Sequence, residues 1–263
     1  MVKILVLGSA GMLGSQVVKT LTEKGYQVTS FTRKDFDAYK DNVNQIYATL
    51  RDHDYVLNCI GVIKPFMEKS LVTSVSVNAV FPRQLANYIK KMELDIKMIH
   101  ITTDCVYSGA HGSYLESSPH DALDMYGKSK SLGEPENCMV IRTSIIGEEL
   151  GEGASLVAWV KSMEGKTIDG YKHHKWNGVT TATYADVIDQ IIQKDLYTPD
   201  LFHVYSNTLN KFDLMHLFND RYNLGLTINE VDGLNGCDRS LKTEKSLMKF
   251  LEIPTLEFQI KGL

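Results

Sequence analysis

Apolar and polar positions follow two rhythms along this chain. Six short runs are near-continuous in Val, Ile and Leu, at 3–7, 27–32, 55–60, 97–102, 139–143 and 201–205. Short runs with no polar face are what strands buried on both sides of a parallel sheet look like. Between and beyond them, helical patterns occupy 11–24, 43–52, 75–92, 125–134, 156–163 and 184–193. Strand then helix, repeated, predicts βαβ units and a doubly wound parallel sheet, an α/β fold. After about Ile146 the rhythm weakens, and 147–153, 165–181 and 231–240 read as Gly-rich loops between shorter elements. They predict a small C-terminal lobe laid over the carboxyl edge of the sheet, where open α/β sheets bind ligands. Residues 1–150 would form the sheet unit and 151–263 mainly the lobe, with the 201–205 run expected to return to the sheet.

Composition narrows the class. The chain has 263 residues, 43% hydrophobic and 23% charged, ordinary for a globular protein of one to two domains. A formal charge of −4, evenly spread, lacks the basic footprint of a nucleic-acid or membrane-surface binder. No apolar stretch reaches the ~18 residues that span a bilayer. The N-terminal run lacks a signal peptide's longer apolar core and cleavage site. Cys59, Cys105, Cys138 and Cys237 are widely spaced and form no CxxC pair. A cytoplasmic protein without disulfides is expected.

Gly8-Ser9-Ala10-Gly11-Met12-Leu13-Gly14 follows the first run and opens the first helix. GxxGxxG in that place is the phosphate-binding turn of a dinucleotide-binding Rossmann sheet. Gly8 permits the tight turn, Gly11 a close approach to pyrophosphate, and Gly14 close helix–strand packing. With Met12 and Leu13, the helix start would offer free N–H groups and partial positive charge. The other reading is a Gly-rich turn that binds nothing. At the end of the second run an NAD site places a carboxylate for the ribose 2′-OH. Here the chain reads Ser30-Phe31-Thr32-Arg33-Lys34. A guanidinium forks onto phosphate oxygens, so Arg33 and Lys34 suit the 2′-phosphate of NADP. NADPH is the expected cofactor. Asp35 and Asp37 keep NADH open, and a solvated basic loop is the alternative for the two cations.

Tyr126-Gly127-Lys128-Ser129-Lys130 sets Tyr and Lys one turn apart on a helix face. An ammonium beside a phenol lowers its pKa from ~10 toward neutrality. Tyr126 then becomes a proton donor to a carbonyl being reduced. Such pairs also arise on solvated helices. Ile99-His100-Ile101-Thr102-Thr103-Asp104 ends a buried run at the carboxyl edge, where Thr103 could hydrogen-bond the same carbonyl oxygen.

With these pieces the chain resembles the extended short-chain dehydrogenase/reductases, and among them dTDP-4-dehydrorhamnose reductase and related NDP-4-keto-6-deoxysugar reductases. The matching residues are Gly8–Gly14, Asn58-Cys59-Ile60-Gly61, Asn78, Thr102-Thr103-Asp104-Cys105-Val106-Tyr107, Tyr126–Lys130 and Ile141-Arg142-Thr143-Ser144. Order and spacing hold over about residues 1–150. Beyond, the likeness thins to Trp176-Asn177-Gly178-Val179-Thr180, Tyr184-Ala185-Asp186-Val187 and Arg239-Ser240-Leu241. The resemblance implies Thr103, Tyr126 and Lys130 as catalytic triad, with hydride passing from NADPH to C4 of a nucleotide-diphosphate sugar. Lys130 would also hold the nicotinamide ribose, and Asn58–Gly61 would lie along the cofactor through its backbone. For Asn58 and Asn78, tying loops to neighbouring backbone is the other reading. A homodimer is common in the family and is not visible in the pattern.

Two departures bear on the substrate. Sugar-nucleotide 4,6-dehydratases carry Glu where this chain has Cys105, which argues against dehydration. The rhamnose-type reductases usually have an aromatic there. Cys105 matches GDP-fucose synthase, where a Cys and a His also make the enzyme a 3,5-epimerase, but 156–163 contains no His. A small residue lining the pocket is the alternative for Cys105. Ile145 replaces a Trp beside the sugar, and Trp176 could supply a flat surface or sit in the core. Asp104 would face the substrate, and Arg239 could grip a diphosphate or form a surface ion pair. His173-His174-Lys175 has no metal-ligand spacing with an acidic partner, so no metal is assigned. A competing class is a non-catalytic NADP-binding subunit, because the regulatory β subunit of methionine adenosyltransferase resembles the same reductases.

Overall fold

The computed structural model describes residues 1–67, 69–150, 153–233 and 236–263. Each of the six apolar runs contributes a strand to one sheet: β1 (Lys3–Leu7), β2 (Gln27–Phe31), β3 (Tyr55–Asn58), β4 (Lys97–Thr102), β5 (Met139–Arg142) and, later in the chain, Leu201–His203. Shorter strands lie between the last two: β6 (Ile145–Ile146), β7 (Thr167–Tyr171), β8 (His174–Trp176) and β9 (Val179–Thr180). Leu201–His203 is therefore β10, followed by β11 (Leu209–Asn210), β12 (Thr227–Val231) and β13 (Cys237–Asp238). The main sheet has the order β10-β5-β4-β3-β1-β2, and every neighbouring pair is parallel. The order reverses between β1 and β3, the kind of switch point beyond whose carboxyl ends a crevice opens.

The helices are α1 (Met12–Glu23), α2 (Tyr47–Arg51), α3 (Lys64–Met67), α4 (Leu71–Val75), α5 (Phe81–Lys91), α6 (Met125–Leu132), α7 (Leu156–Ser162), α8 (Thr181–Gln193), α9 (Lys211–Tyr222) and α10 (Leu256–Lys261). Alternation along β1 fixes which helix covers which side. Ile4 and Val6 pack with Leu13, Val17 and Leu21 of α1 and Ile188 of α8. Leu5 and Leu7 pack with Phe81, Leu85 and Ile89 of α5. The helix expected over 75–92 is interrupted. A π-helical turn, Ser76–Val80, joins α4 to α5, and Asn78 of that turn bonds the backbone of Val62 rather than its own helix. The 43–52 segment likewise opens with a 3-10 turn, capped where Asn42 Oδ1 accepts from Asn44 N at 2.9 Å.

A second apolar cluster gathers Ile146, Val157, Val160, Leu214, Phe218 and Leu256. Around it β7 pairs in parallel with β12, and β8 lies between β11 and β13. The expected loops at 147–153 and 231–240 include residues 151, 152, 234 and 235, which lie outside the described residues. The four cysteines are free. Among the described residues no helix is long and apolar enough to cross a membrane.

Candidate active site

At the end of β1, Gly8 has φ +81°, and Gly8 N and Ser9 N both donate to Phe31 O, at 2.9 and 3.0 Å. A Cβ on Gly14 would stand 2.2 Å from Gly8 O, so α1 sits on the turn at a distance only glycine allows. Gly11 is the N-cap of α1. It lends no side chain to the helix start, and the first turn holds no acidic residue. The free N–H groups and partial positive charge of the helix start are left for a ligand. Two cavities meet at this point. One of about 280 Å³ is walled by Gly8, Gly11, Arg33, Asp37 and Ala38. The other, of about 440 Å³, includes Gly11, Met12 and Leu13, and Cys59, Ile60 and Gly61 are walls of both.

Arg33 reaches the smaller cavity, but Lys34 is exposed outside its lining. Lys34 stands in a turn: Asp35 accepts from Thr32 N and Oγ1 at 2.8 and 2.7 Å, and Lys34 N donates to Thr32 Oγ1 at 3.2 Å. The same bonds hold the Asp35 carboxyl below its usual range. Asp37 is the carboxylate that remains in the cavity wall. The Asn58 side chain follows the loop-tying reading. It is buried beneath the crevice, accepting from Ile60 N at 3.2 Å and bonding His100 Nδ1 at 3.1 Å, so it shapes the loop rather than lining it.

α6 carries the Tyr–Lys pair. Its N-cap Asp124 accepts from Gly127 N at 2.9 Å and from Lys64 Nζ at 2.7 Å. A Cβ on Gly127 would meet Cys105 O at 2.2 Å, and one on Gly133 would meet Asn78 O at 1.9 Å. Both ends of the helix are thus pressed onto backbone. Lys130 is buried and donates to Ile101 O at 3.1 Å. Burial draws its ammonium down to about 8, with Glu134 acting against it. Thr103 Oγ1 accepts from Cys105 N and donates to Asp104 Oδ1, both at 3.1 Å. Thr103, Cys105, Tyr126 and Lys130 all face the 440 Å³ cavity. The expected drop in the Tyr126 pKa is reversed. Burial raises it, Cys105 adds to the rise, and the Thr103 hydroxyl pulls the other way. Desolvation of a phenolate is the largest cause here. The phenol is held in its protonated form, the one that donates.

A third cavity, about 380 Å³, shares Cys105, Ser144, Ile145, Ile146 and Leu156 with the second. Its other walls include Asp104, Trp176, Arg239, His174, Lys175 and Lys211. Among the described residues Arg239 forms no surface ion pair: its Nε donates to Tyr107 O at 2.9 Å and one Nη to Ser108 O at 3.3 Å. Burial raises the Asp104 carboxyl, opposed by Arg239 and nearby hydrogen bonds. Burial likewise pushes the Cys105 thiol up to about 12. Trp176 packs against the second apolar cluster and also lines this cavity.

Residues 2–235 match the family described as the RmlD substrate binding domain. The chain belongs to this family. With it the chain is an oxidoreductase. This RmlD-family chain is 25% identical over 254 residues to the spore coat polysaccharide biosynthesis protein SpsK of Bacillus subtilis, covering 93% of this chain and 84% of SpsK. It is 30% identical over 152 residues to a dTDP-4-keto-6-deoxy-D-glucose reductase of Streptomyces niveus, covering 53% and 51% of the two chains. It is 23% identical over 245 residues to the methionine adenosyltransferase 2 subunit beta of Xenopus tropicalis, covering 84% and 72%. Among solved structures, dTDP-4-dehydrorhamnose reductase of Bacillus anthracis in complex with NADP shares the fold with TM-score 0.83 and 21% identity, covering 99% of this chain and 98% of that one.

The family match runs well past residue 150, where the motifs thin. Besides the motif residues, the RmlD-family chain brings Lys175 and Lys211 to the wall of the third cavity and Glu149 and Ser155 to that of the second. One signal was available for Lys211, which follows Asn210, the N-cap of α9.

Proposed function

We propose that this chain is an NADPH-dependent reductase of the C4 keto group of an NDP-4-keto-6-deoxysugar, serving surface polysaccharide synthesis. The observation that carries the reading is the second cavity, where Thr103, Tyr126 and Lys130 face the space walled by the phosphate-type turn and by Cys59–Gly61. The residues fit a dinucleotide, because the turn is closed by a glycine whose Cβ would strike backbone and the helix start is bare. Gly8, Gly11, Met12, Leu13 and Gly14 would hold the pyrophosphate, Arg33 the 2′-phosphate, and Lys130 the nicotinamide ribose. Bound NADPH supplies the hydride. Tyr126 gives its proton to the carbonyl oxygen, and Thr103 hydrogen-bonds that oxygen.

The third cavity takes the nucleotide-diphosphate sugar. Asp104, Cys105 and Ile145 stand nearest the sugar, with Trp176 and Arg239 toward the diphosphate and base. Residues 1–150 serve the cofactor and the chemistry, residues 151–263 mainly the substrate, and the protein works in the cytoplasm. SpsK, the Streptomyces niveus reductase and the NADP complex from Bacillus anthracis support this assignment by their names. The non-catalytic reading stays second to this one: the adenosyltransferase subunit is among the relatives, and Thr103, Tyr126 and Lys130, all present on one cavity, speak for the enzyme.

The test is turnover in deuterated water with NADPH and 4-keto-6-deoxy sugars carrying dTDP, GDP, UDP or CDP. Oxidation of the cofactor with no deuterium at C3 or C5 is expected. Tyr126→Phe should lower turnover by about 10²–10⁴-fold while keeping cofactor affinity. Tight NADPH binding with no turnover on any of these sugars overturns the reading in favour of the regulatory one. Deuterium at C3 or C5 would instead show an epimerase.

A further inference from the structure

Two buried polar groups on β4 have no hydrogen-bond partner among the described residues: His100 Nε2 and the Thr102 hydroxyl. His100 is 1% exposed and Thr102 3%. Two apart on a strand, they point to the same face, the one that Asn58 reaches from the neighbouring β3. One side of the His100 ring is engaged by Asn58. Ile60 N donates to Asn58 Oδ1 at 3.2 Å, which turns the amide Nδ2 toward His100 Nδ1 at 3.1 Å. Asn58 thus occupies the Nδ1 side through its amide, and its backbone also acts on the ring, so Nε2 is the nitrogen left bare. Donor or acceptor, a bare buried ring nitrogen is costly. Lys130 Nζ bonds Ile101 O, the carbonyl lying between these two residues in the chain. That bond uses one of the ammonium's three protons.

We propose that His100 is a positioning residue of the reductase site: with Thr102 it holds one internal water against Lys130, fixing the ammonium and keeping it charged. The water oxygen accepts from Lys130 Nζ, and the water bonds His100 Nε2 and Thr102 Oγ1, donating or accepting at each as the His100 tautomer requires, which satisfies all three groups. Thr102 also lines the catalytic cavity, so the water has a way in. The groups facing Lys130 are Cys59 beyond β3, His100 on β4, Tyr126 on its own helix, and Glu134, which is paired with Arg142 of β5. Burial and the Lys130 charge hold His100 well below its ordinary pKa, so it stays neutral and the titrating group is Lys130.

The kinetic arm of the test rests on the reductase reading; the structural arm does not. A high-resolution crystal structure should show a water within hydrogen-bond distance of both His100 Nε2 and Thr102 Oγ1. Its absence overturns the proposal. In turnover assays, His100→Phe and Thr102→Val should lower kcat about tenfold, with KM and NADPH affinity unchanged. They should also move the basic limb of the kcat–pH profile to lower pH. His100→Gln keeps a hydrogen-bonding side chain and should recover most of the loss. Equal loss in Phe and Gln variants, or an unmoved limb, reduces His100 to core packing and defeats the proposal. Should His100→Phe not fold, Thr102→Val against His100→Gln carries the same comparison. A wild-type protein without turnover sinks the reductase reading, and the crystallographic water still decides this site.

Discussion

Arg33 stands alone at the strand end as a cation that reaches the smaller cavity, because the neighbouring turn sends Lys34 to solvent and uses up the Asp35 carboxylate. Arg33→Ala should therefore weaken NADPH by about tenfold or more, the effect of losing a charge-assisted contact. NADH should be unaffected, and steady-state KM values for the two cofactors check this. Equal loss for both would place Arg33 outside the 2′-phosphate site. The residue type and its place were legible in Ser30–Lys34, but the choice between adjacent cations was not, since it depends on how Thr32 turns the chain. The sign at Tyr126 was illegible for a different reason. Spacing shows that a lysine is one turn away, whereas the cost of a buried phenolate depends on what covers it.

For whole elements, the placement of α6 decides whether the site exists. Its first turn is capped by Asp124 and pressed onto Cys105 O at Gly127. Gly127→Ala puts a Cβ where the backbone already is, and overpacking of this kind costs about 1–3 kcal/mol. A lower urea midpoint is expected, with a fall in kcat larger than any rise in KM, because Tyr126 precedes the displaced residue. Lys128→Ala, on the exposed side of the same helix, should change stability by no more than about 0.5 kcal/mol. Helices such as α1, α5 and α8 were readable from their apolar period, and the six main strands from their Val/Ile/Leu runs. α9 was readable from Asn210 at its start and the left-handed Asn223 (φ +51°) at its end, signals that the weaker periodicity after Ile146 hid. The π turn at Ser76–Val80 left no mark on the helical period of 75–92, and strands of two or three residues such as β6, β8 and β9 are too short to show alternation.

Across the molecule, one buried charge ties distant segments together. Arg142 is fully buried and bonds Glu134 through Nε at 3.1 Å and an Nη at 2.7 Å. It also bonds His120 at 2.7 Å, His203 at 2.9 Å and the Tyr107 hydroxyl. Burial, then the Arg142 charge, lowers His203 to about 4, and burial also lowers His120. A histidine depressed in the folded state binds its proton first in the unfolded chain, so stability is kept above about pH 6.5 and lost as pH falls toward 4. Urea midpoints should drop across that window, the unfolding free energy falling by up to about 1.4 kcal/mol per pH unit for His203, with His120 acting in the same direction. The raised carboxyl of Asp104 works the opposite way and softens the slope. A flat profile between pH 6.5 and 4 would mean that these histidines are not held neutral. The strand that brings His203 has a consequence for how the protein is made. Synthesis runs from the N-terminus, so β5 and Arg142 leave the ribosome long before β10, which pairs with β5 from residues 201–203. Until then β5 is an open edge, the kind that recruits chaperones or a neighbouring nascent chain. The nucleotide-binding sheet has no finished form of its own during translation, and the late-arriving C-terminal part of the chain supplies its last strand.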